Sequence, residues 1–271
     1  MPCMKAPWPG ASSKSACCRV SPVRGILLAG GTGSRLQRLT RITNKHLLPI
    51  YDRSMVEWAV ESLVAAGVTE LLLVTGGEHI GSFLRVLGDG SSYGLENLSF
   101  SVQEQAGGIA EALGLGERFA DGQPVVVMLA DNIFEQTFKA TIDAFRENPV
   151  GCRLVLCEME DPAHLSHLGV AAFDENRSIV SIIEKPSDPP SPYAVTGVYC
   201  YGADVFDVVK TLEPSARGEL EVTDLNNHYI STGHVAYDVQ PGFWGDAGES
   251  IDAYQQVGEY VARHGANHPA I

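Results

Sequence analysis

The sequence predicts an α/β fold built on a mostly parallel sheet covered by helices, and three observations lead there. From residue 25 onward, short Val/Ile/Leu-rich runs alternate with amphipathic stretches, the pattern of strands joined by helical crossovers. The runs at 25–30 (GILLAG), 70–75 (ELLLVT), 98–103 (LSFSVQ) and 124–130 (PVVVMLA) are apolar without alternation, as strands buried on both faces are. After about residue 150 the strand candidates become shorter and more closely spaced, which predicts an antiparallel or mixed extension of the same sheet.

The elements follow in order. Between the first two runs, Ser54 and Glu57 form a capping-box pattern ahead of Val56, Ala59, Val60, Leu63 and Val64, with Gly67 as a stop, so a helix is expected there. Further helices are expected over 109–119 and 137–147. The later strands are expected at 153–159, 170–173, 179–184, 195–201 and 235–239, separated by turn-rich segments such as DENR and SDPPSP. Helices near 204–212 and 250–264 complete the reading.

At 271 residues and 45% hydrophobic content, the chain is long enough for a sizeable core, and a single α/β domain is the natural prior. The formal net charge of −14 counts against an extended nucleic-acid contact surface, although small anionic ligands need only a local cluster of cations. No stretch approaches the roughly 18 consecutive apolar residues of a membrane span, so a cytoplasmic protein is expected. Cys3, Cys17, Cys18, Cys152, Cys157 and Cys200 have no metal-ligand spacing and read as buried or free thiols. Residues 1–24 carry four basic and no acidic residues without apolar periodicity; they read as a disordered leader, distinct from a secretory signal.

The strongest chemical signal is GILLAGGTGSRL at 25–36. A buried strand runs into a loop whose Gly30, Gly31 and Gly33 let backbone N–H groups approach phosphate oxygens without Cβ obstruction. Arg35 then supplies a cation with forked donors. A tight strand-to-helix turn is the plain structural alternative. Two commoner nucleotide motifs do not fit: a dinucleotide fingerprint starting at Gly31 would need glycine where Leu36 stands, and a P-loop needs a Gly-Lys-Ser/Thr ending that is absent.

Eight segments, in order, resemble the sugar-1-phosphate nucleotidyltransferase family, and within it the short-form thymidylyltransferases. They are GILLAGGTGSRL, NKHLLPIYDRSM (44–55), VLGDGSSYGL (86–95), ADNIF (130–134), EKP (184–186), YAVTGVYCY (193–201), RGELEVTDLN (217–226) and WGDAG (244–248). The resemblance implies a Rossmann-like, nucleotide-diphospho-sugar transferase fold with a mixed or antiparallel sugar-binding extension. It implies one domain over 25–271, with a nucleotide-binding half at 25–150, a sugar-phosphate half at 151–250 and a C-terminal helix at 250–265. It further implies transfer of a nucleotidyl group from a nucleoside triphosphate, dTTP first among them, to a sugar 1-phosphate such as glucose 1-phosphate. The partners expected are these small molecules, with no nucleic acid or membrane, and the sequence is compatible with a homo-oligomer.

Residue roles come over by the same resemblance. Lys45 matches a lysine on the triphosphate, and Asp131 and Asp246 match two magnesium-binding aspartates. Asp131 follows the PVVVMLA run, at the carboxyl end of a strand where open α/β sheets place ligands. Gln103 and Gly108 match a base-recognition loop. Glu184, Lys185, Gly169, Thr196 and Arg217 match the sugar-phosphate pocket. A sugar 1-phosphate already carries an ionised oxygen, because a phosphate monoester has a second pKa of about 6, so no general base is required. Arg35, Lys45 and Lys185 are therefore expected to act by positioning and charge neutralisation, without a covalent intermediate.

Two positions depart from the pattern: Leu168 stands where the family usually has tyrosine, and Ile183 where it usually has a second glutamate. Both are expected at or beside the sugar pocket, which widens the candidates to modified sugars or a cyclitol phosphate and leaves the triphosphate motifs unaffected; uridylyl transfer is a separate alternative, because a glutamine facing a pyrimidine need not distinguish thymine from uracil. The C-terminal helical extension of longer members is not seen after Tyr260, so weaker feedback through a second nucleotide site is expected. A catalytically silent homologue would have eroded cations and carboxylates, yet Arg35, Lys45, Asp131, Lys185 and Asp246 all stand. A nicotinamide-dependent oxidoreductase is disfavoured by Leu36.

Overall fold

The computed structural model describes residues 22–31 and 33–269; most of the expected leader, with Cys3, Cys17 and Cys18, lies outside them. The first half runs β1 (Arg24–Ala29), β2 (Pro49–Ile50), β3 (Arg53–Ser54), α1 (Met55–Ala65), β4 (Glu70–Gly76), α2 (Ile80–Leu87), β5 (Asn97–Gln103), α3 (Ile109–Gly114), α4 (Glu117–Ala120), β6 (Val125–Leu129), β7 (Asn132–Phe134) and α5 (Lys139–Glu147). The second runs β8 (Cys152–Glu158), α6 (Pro162–Leu165), β9 (Gly169–Phe173), β10 (Ile179–Glu184), β11 (Tyr193–Tyr201), α7 (Val205–Val209), α8 (Val222–Ser231), β12 (Val235–Val239), β13 (Trp244–Asp246) and α9 (Ile251–His264).

One nine-stranded sheet carries both halves, in the order β10-β9-β11-β6-β1-β4-β5, with β8 on β11 and β12 on β8. Strands β6, β1, β4 and β5 are mutually parallel. β11 turns the sheet antiparallel by pairing with β6, Val198 opposite Met128, and with β8. The apolar runs of β1, β4 and β6 have their expected cause, whereas β5, expected to be buried on both faces, is a half-buried edge strand. Leu27 and Ala29 of β1 face a core beneath α1 and α5, while Ile26 and Leu28 face a second core that includes residues of α3, α7 and α8. Apolar side chains on both sides of one strand are what a helix-covered parallel sheet demands.

Helix α1 starts where its capping pattern puts it: the Ser54 backbone N–H and hydroxyl both donate to Glu57 Oε2, at 2.8 and 2.7 Å. It stops at Gly67, whose φ of 90° is a conformation favouring glycine. The single helix expected at 109–119 is instead two, α3 and α4. Gly116 passes so close to β1 that a Cβ there would lie 2.5 Å from Ile26 Cδ1, and the chain kinks to make that approach. Helices α2 and α8 had no counterpart in the sequence reading: α2 carries Gly81, an interior glycine that weakens the helical pattern, and α8 begins inside a segment read only as a motif and continues past it. No helix among the described residues is long and apolar enough to cross a membrane. Cys152, Cys157 and Cys200 are buried free thiols, in line with the reading of those three.

Candidate active site

A cleft of about 380 Å³ opens at the carboxyl ends of β1 and β6 and extends over β9, β10 and β11. Twelve of the fourteen residues singled out above line it: Gly30, Gly31, Arg35, Lys45, Gln103, Gly108, Asp131, Gly169, Glu184, Lys185, Arg217 and Asp246. Segments as far apart in sequence as Gly30 and Asp246 thus meet in one concavity.

Its centre is built by three short anchorages. Asn44 Nδ2 donates to the carbonyl of Ala29, at the end of β1, at 3.2 Å. Its Oδ1 accepts from the His46 backbone N–H at 2.9 Å, so Asn44 caps the turn that aims Lys45 at the strand ends. Asp131 follows β6 after the single residue Ala130. β7 and β13 pair antiparallel with Asn132 opposite Asp246, which brings the second carboxylate beside the first. Lys45 Nζ is hydrogen-bonded and ion-paired to Asp131 Oδ2.

The side chain of Asn132 fixes this geometry. Its Oδ1 accepts from Trp244 Nε1 at 2.7 Å and from the Gly197 N–H at 2.8 Å, while Nδ2 donates to Asp131 Oδ1 at 3.1 Å. Both polar atoms of its side chain are thus hydrogen-bonded, as burial requires.

The charges are strongly coupled. Burial would lower the Lys45 ammonium, but Asp131 and Asp246 outweigh it and raise its pKa above the usual value. Asp131 is pushed up by burial, yet Lys45 and the hydrogen bonds it receives hold it well below the usual carboxylate range. Asp246 is pushed up to about 7 by burial and by the charge of Asp131. His46, fully buried beside Lys45, is lowered to about 3 by burial first and that cation second, so its imidazole is neutral here.

The last glycine of WGDAG has a steric cause. A Cβ on Gly248 would lie 2.3 Å from Asp131 Oδ2 and 2.6 Å from Lys45 Nζ, while the Gly248 N–H donates to Asp246 Oδ1 at 2.8 Å.

Toward the second half, Glu184 and Lys185 form a 3.2 Å ion pair, and Thr223 Oγ1 donates to Glu184 Oε2 at 3.1 Å. Lys185 has φ of 48°, an uncommon conformation for a non-glycine residue, and its N–H donates to the Leu168 carbonyl at 2.9 Å. Arg217 is half exposed and held by Glu221, Nη2 reaching both carboxylate oxygens at 2.9 and 3.0 Å.

Three expectations need correction. Thr196 does not line the cleft: it is fully buried and its hydroxyl donates to the Val155 carbonyl at 2.8 Å. The β8–β11 register shifts between Val195 and Tyr199, and it is those two that face the cavity. Gly33 lies beneath the loop, where a Cβ would meet Thr40 Cγ2 at 2.9 Å and Lys45 Cβ at 3.2 Å; it shapes the turn rather than the surface. Ile183 is 43% exposed and absent from the cavity wall, which takes Ile182 and Glu184 instead, because successive strand residues point to opposite faces. Leu168 does line it. Sequence reasoning missed His46, Tyr199 and Glu221 on the wall, although each lies inside a quoted motif.

The sequence profile of the nucleotidyl transferase family matches residues 24–263. The glucose-1-phosphate thymidylyltransferase of Actinoplanes sp. is 43% identical over 242 residues, 88% of this chain and 78% of that protein. That of Neisseria meningitidis is 40% identical over 229 residues, 83% of this chain and 78% of its own. Among solved structures, a Bacillus anthracis protein assigned as a glucose-1-phosphate thymidylyltransferase, in complex with sucrose, aligns with a TM-score of 0.81 at 43% identity, covering 88% of this chain and 94% of that one. A UDP-glucose pyrophosphorylase complexed with UDP-glucose aligns with a TM-score of 0.77 at 22% identity, over 89% of this chain and 99% of that one, a likeness of fold alone. The chain belongs to the nucleotidyl transferase family and is a nucleotidyltransferase.

Proposed function

We propose that the protein transfers a thymidylyl group from dTTP to glucose 1-phosphate, releasing pyrophosphate and forming dTDP-glucose. The observation that carries this is the Lys45–Asp131–Asp246 cluster, set at strand ends in a cleft with Gln103 on one side and Lys185 on the other. Relatives named for this reaction support the choice of substrates. The half before residue 150 would hold the nucleotide and the half after it the sugar phosphate, both within one domain and in the cytoplasm.

The pair Asp131 and Asp246 fits magnesium. A buried Asp131 and a half-buried Asp246 lie together, and Asp246 is held up to about 7 by desolvation and its neighbour, an excess of negative charge that a divalent cation would relieve. Magnesium commonly takes one or two carboxylates, with water and substrate phosphate completing its shell. Once bound, it would supply electrostatic stabilisation of the phosphate charge.

The chain's own residues do the remainder. A sugar-phosphate oxygen attacks the α-phosphorus, the bond to the bridging oxygen breaks, and the electron pair leaves with pyrophosphate. Arg35, Lys45 and the loop of Gly30 and Gly31 would receive the triphosphate. Lys185, stiffened by its backbone bond to Leu168, and Arg217, released from Glu221, would align the sugar phosphate. Aligned reactants account for much of the acceleration in such reactions. Gly248→Ala is expected to slow turnover by about a hundredfold or more, since its methyl group would displace Asp131 and Lys45; a rate within about twofold of wild type, with far-UV circular dichroism unchanged, would show the cluster tolerates the shift.

Leu168 on the cavity wall favours a second reading, in which the acceptor is a deoxy or otherwise modified sugar 1-phosphate. Pyrophosphate release with magnesium, crossing dTTP, UTP, CTP, ATP and GTP against glucose 1-phosphate and other sugar 1-phosphates, separates the two. The highest kcat/KM with dTTP and glucose 1-phosphate is expected; release only with another sugar would transfer the assignment to that sugar, and none from any pair would overturn it.

A further inference from the structure

Gln103, at the end of β5, faces the cleft, and both protons of its amide nitrogen are engaged behind it. Nε2 donates to Glu111 Oε2 at 2.6 Å and to the Gly108 carbonyl at 3.3 Å. A carboxylate and a peptide carbonyl only accept, so together they admit one orientation of the carboxamide and exclude its flipped form. The flipped form would set Oε1 against two other acceptors. The amide oxygen is thereby turned toward Gly30, where a Cβ would lie 2.8 Å from it.

Glu111 does not itself line the cleft. It sits in the first turn of α3, and its carboxylate rests on Gly107. A Cβ on Gly107 would lie 2.1 Å from Glu111 Oε2 and 2.3 Å from its Cδ. Gly107 is not in the left-handed region, so this contact, rather than backbone conformation, requires glycine. The loop between them is clasped from outside: the Leu220 N–H donates to the Gly107 carbonyl at 2.8 Å, and the Leu220 carbonyl accepts from the Ala110 N–H at 3.1 Å. The acceptor behind Gln103 is thus held in place from two directions.

We propose that Glu111 is a positioning residue for base selection, locking the Gln103 carboxamide with its oxygen toward the cleft so that the site takes a pyrimidine bearing a proton on N3 and turns away cytosine. The proposal rests on the nucleotidyl-transfer reading. Thymine and uracil present an N3–H donor to a fixed acceptor; cytosine presents a lone pair at the same point, and two facing acceptors leave both unsatisfied. Both N–H donors of the amide are spent on Glu111 and Gly108, so Gln103 has no donor left to rescue cytosine.

The test is kcat/KM for dTTP, UTP and CTP, each with glucose 1-phosphate, in wild type, Glu111→Gln, Glu111→Asp and Gly107→Ala. A carboxamide at 111 can donate as well as accept, so the shorter of the two constraints no longer selects an orientation and only the Gly108 carbonyl, at 3.3 Å, still opposes the flipped form of Gln103. The dTTP-to-CTP ratio is expected to fall by about tenfold or more in Glu111→Gln and in Gly107→Ala, with kcat for dTTP changing less than the ratio. Glu111→Asp keeps an acceptor-only group and is expected to retain most of the ratio. A merely structural Glu111 would lower all three nucleotides together, and a ratio within about twofold of wild type in Glu111→Gln would overturn the proposal. Wild-type enzyme that discriminates against CTP while the variants keep its ratio refutes only the role of Glu111. Wild-type enzyme with no preference over CTP, in turnover or in calorimetric binding, refutes the base-reading account with it.

Discussion

Lys45→Met is expected to lower kcat by about 10²–10³-fold and to destabilise the ligand-free protein by about 3 kcal/mol at pH 8. Methionine fills similar space, so the loss isolates the charge. The ammonium is ion-paired to Asp131 and also feels Asp246; without it, a buried and a half-buried carboxylate remain side by side. Breaking a buried pair by removing one partner leaves an uncompensated charge, which costs more than the net worth of the pair. In the variant both carboxyl groups have folded pKa values above their unfolded ones, so the folded protein binds more protons than the unfolded one. Stability then falls as pH rises, and the deficit against wild type should widen from pH 6 to pH 8. Thermal unfolding across that range, beside initial rates of pyrophosphate release, checks both parts. A deficit independent of pH would mean the carboxylates are compensated elsewhere.

Asp246→Asn is expected to separate stability from activity. Asp246 is raised to about 7 in the folded protein by burial and by Asp131, against an unfolded value near the 3.8 of a free aspartate. The folded state therefore binds the proton more tightly, and this group's contribution declines as pH rises from about 4 to about 7. Asparagine removes the charge that burial opposes. The ligand-free variant should gain on the order of 2 kcal/mol at pH 8, with the gain shrinking as pH falls and little left below about pH 4, where the carboxyl is protonated in both the folded and the unfolded state. Magnesium-dependent turnover should fall by about 10³-fold, because the position no longer offers a carboxylate. A variant both destabilised and active would contradict the assignment of Asp246.

The fold was legible because local and global signals agree. Both faces of β1 and β6 are covered, and their runs read as continuous apolar strands; Ser54 and Glu57 announce α1 through the hydrogen bonds they form. The break between α3 and α4 was not legible, since its cause is a contact with Ile26 that lies far away in sequence. The same division holds at the site. Residues whose backbone segment ends at the cleft, such as Asp131 after β6 and Lys45 after its capped turn, could be named from motif position. Whether Thr196 or Val195 faces the cavity depends on a register irregularity in β11, and strand phase beyond an irregularity is invisible to pattern reading. Ile183 shows the reverse: simple alternation along β10 turns it away from the pocket, and attention to period two would have found that. The need for glycine at 248 and at 107 arises from side chains that only tertiary structure brings near.

The central claim is direct transfer within a positioned ternary complex, and isotope exchange tests it most directly. Labelled pyrophosphate should enter dTTP rapidly when enzyme, magnesium and dTDP-glucose are present, because reversal of the reaction regenerates dTTP. It should not enter dTTP when enzyme, magnesium and dTTP are incubated without any sugar substrate. Exchange in that second mixture would reveal a nucleotidyl group carried on the protein and contradict direct displacement; no exchange in either mixture would contradict nucleotidyl transfer between these substrates.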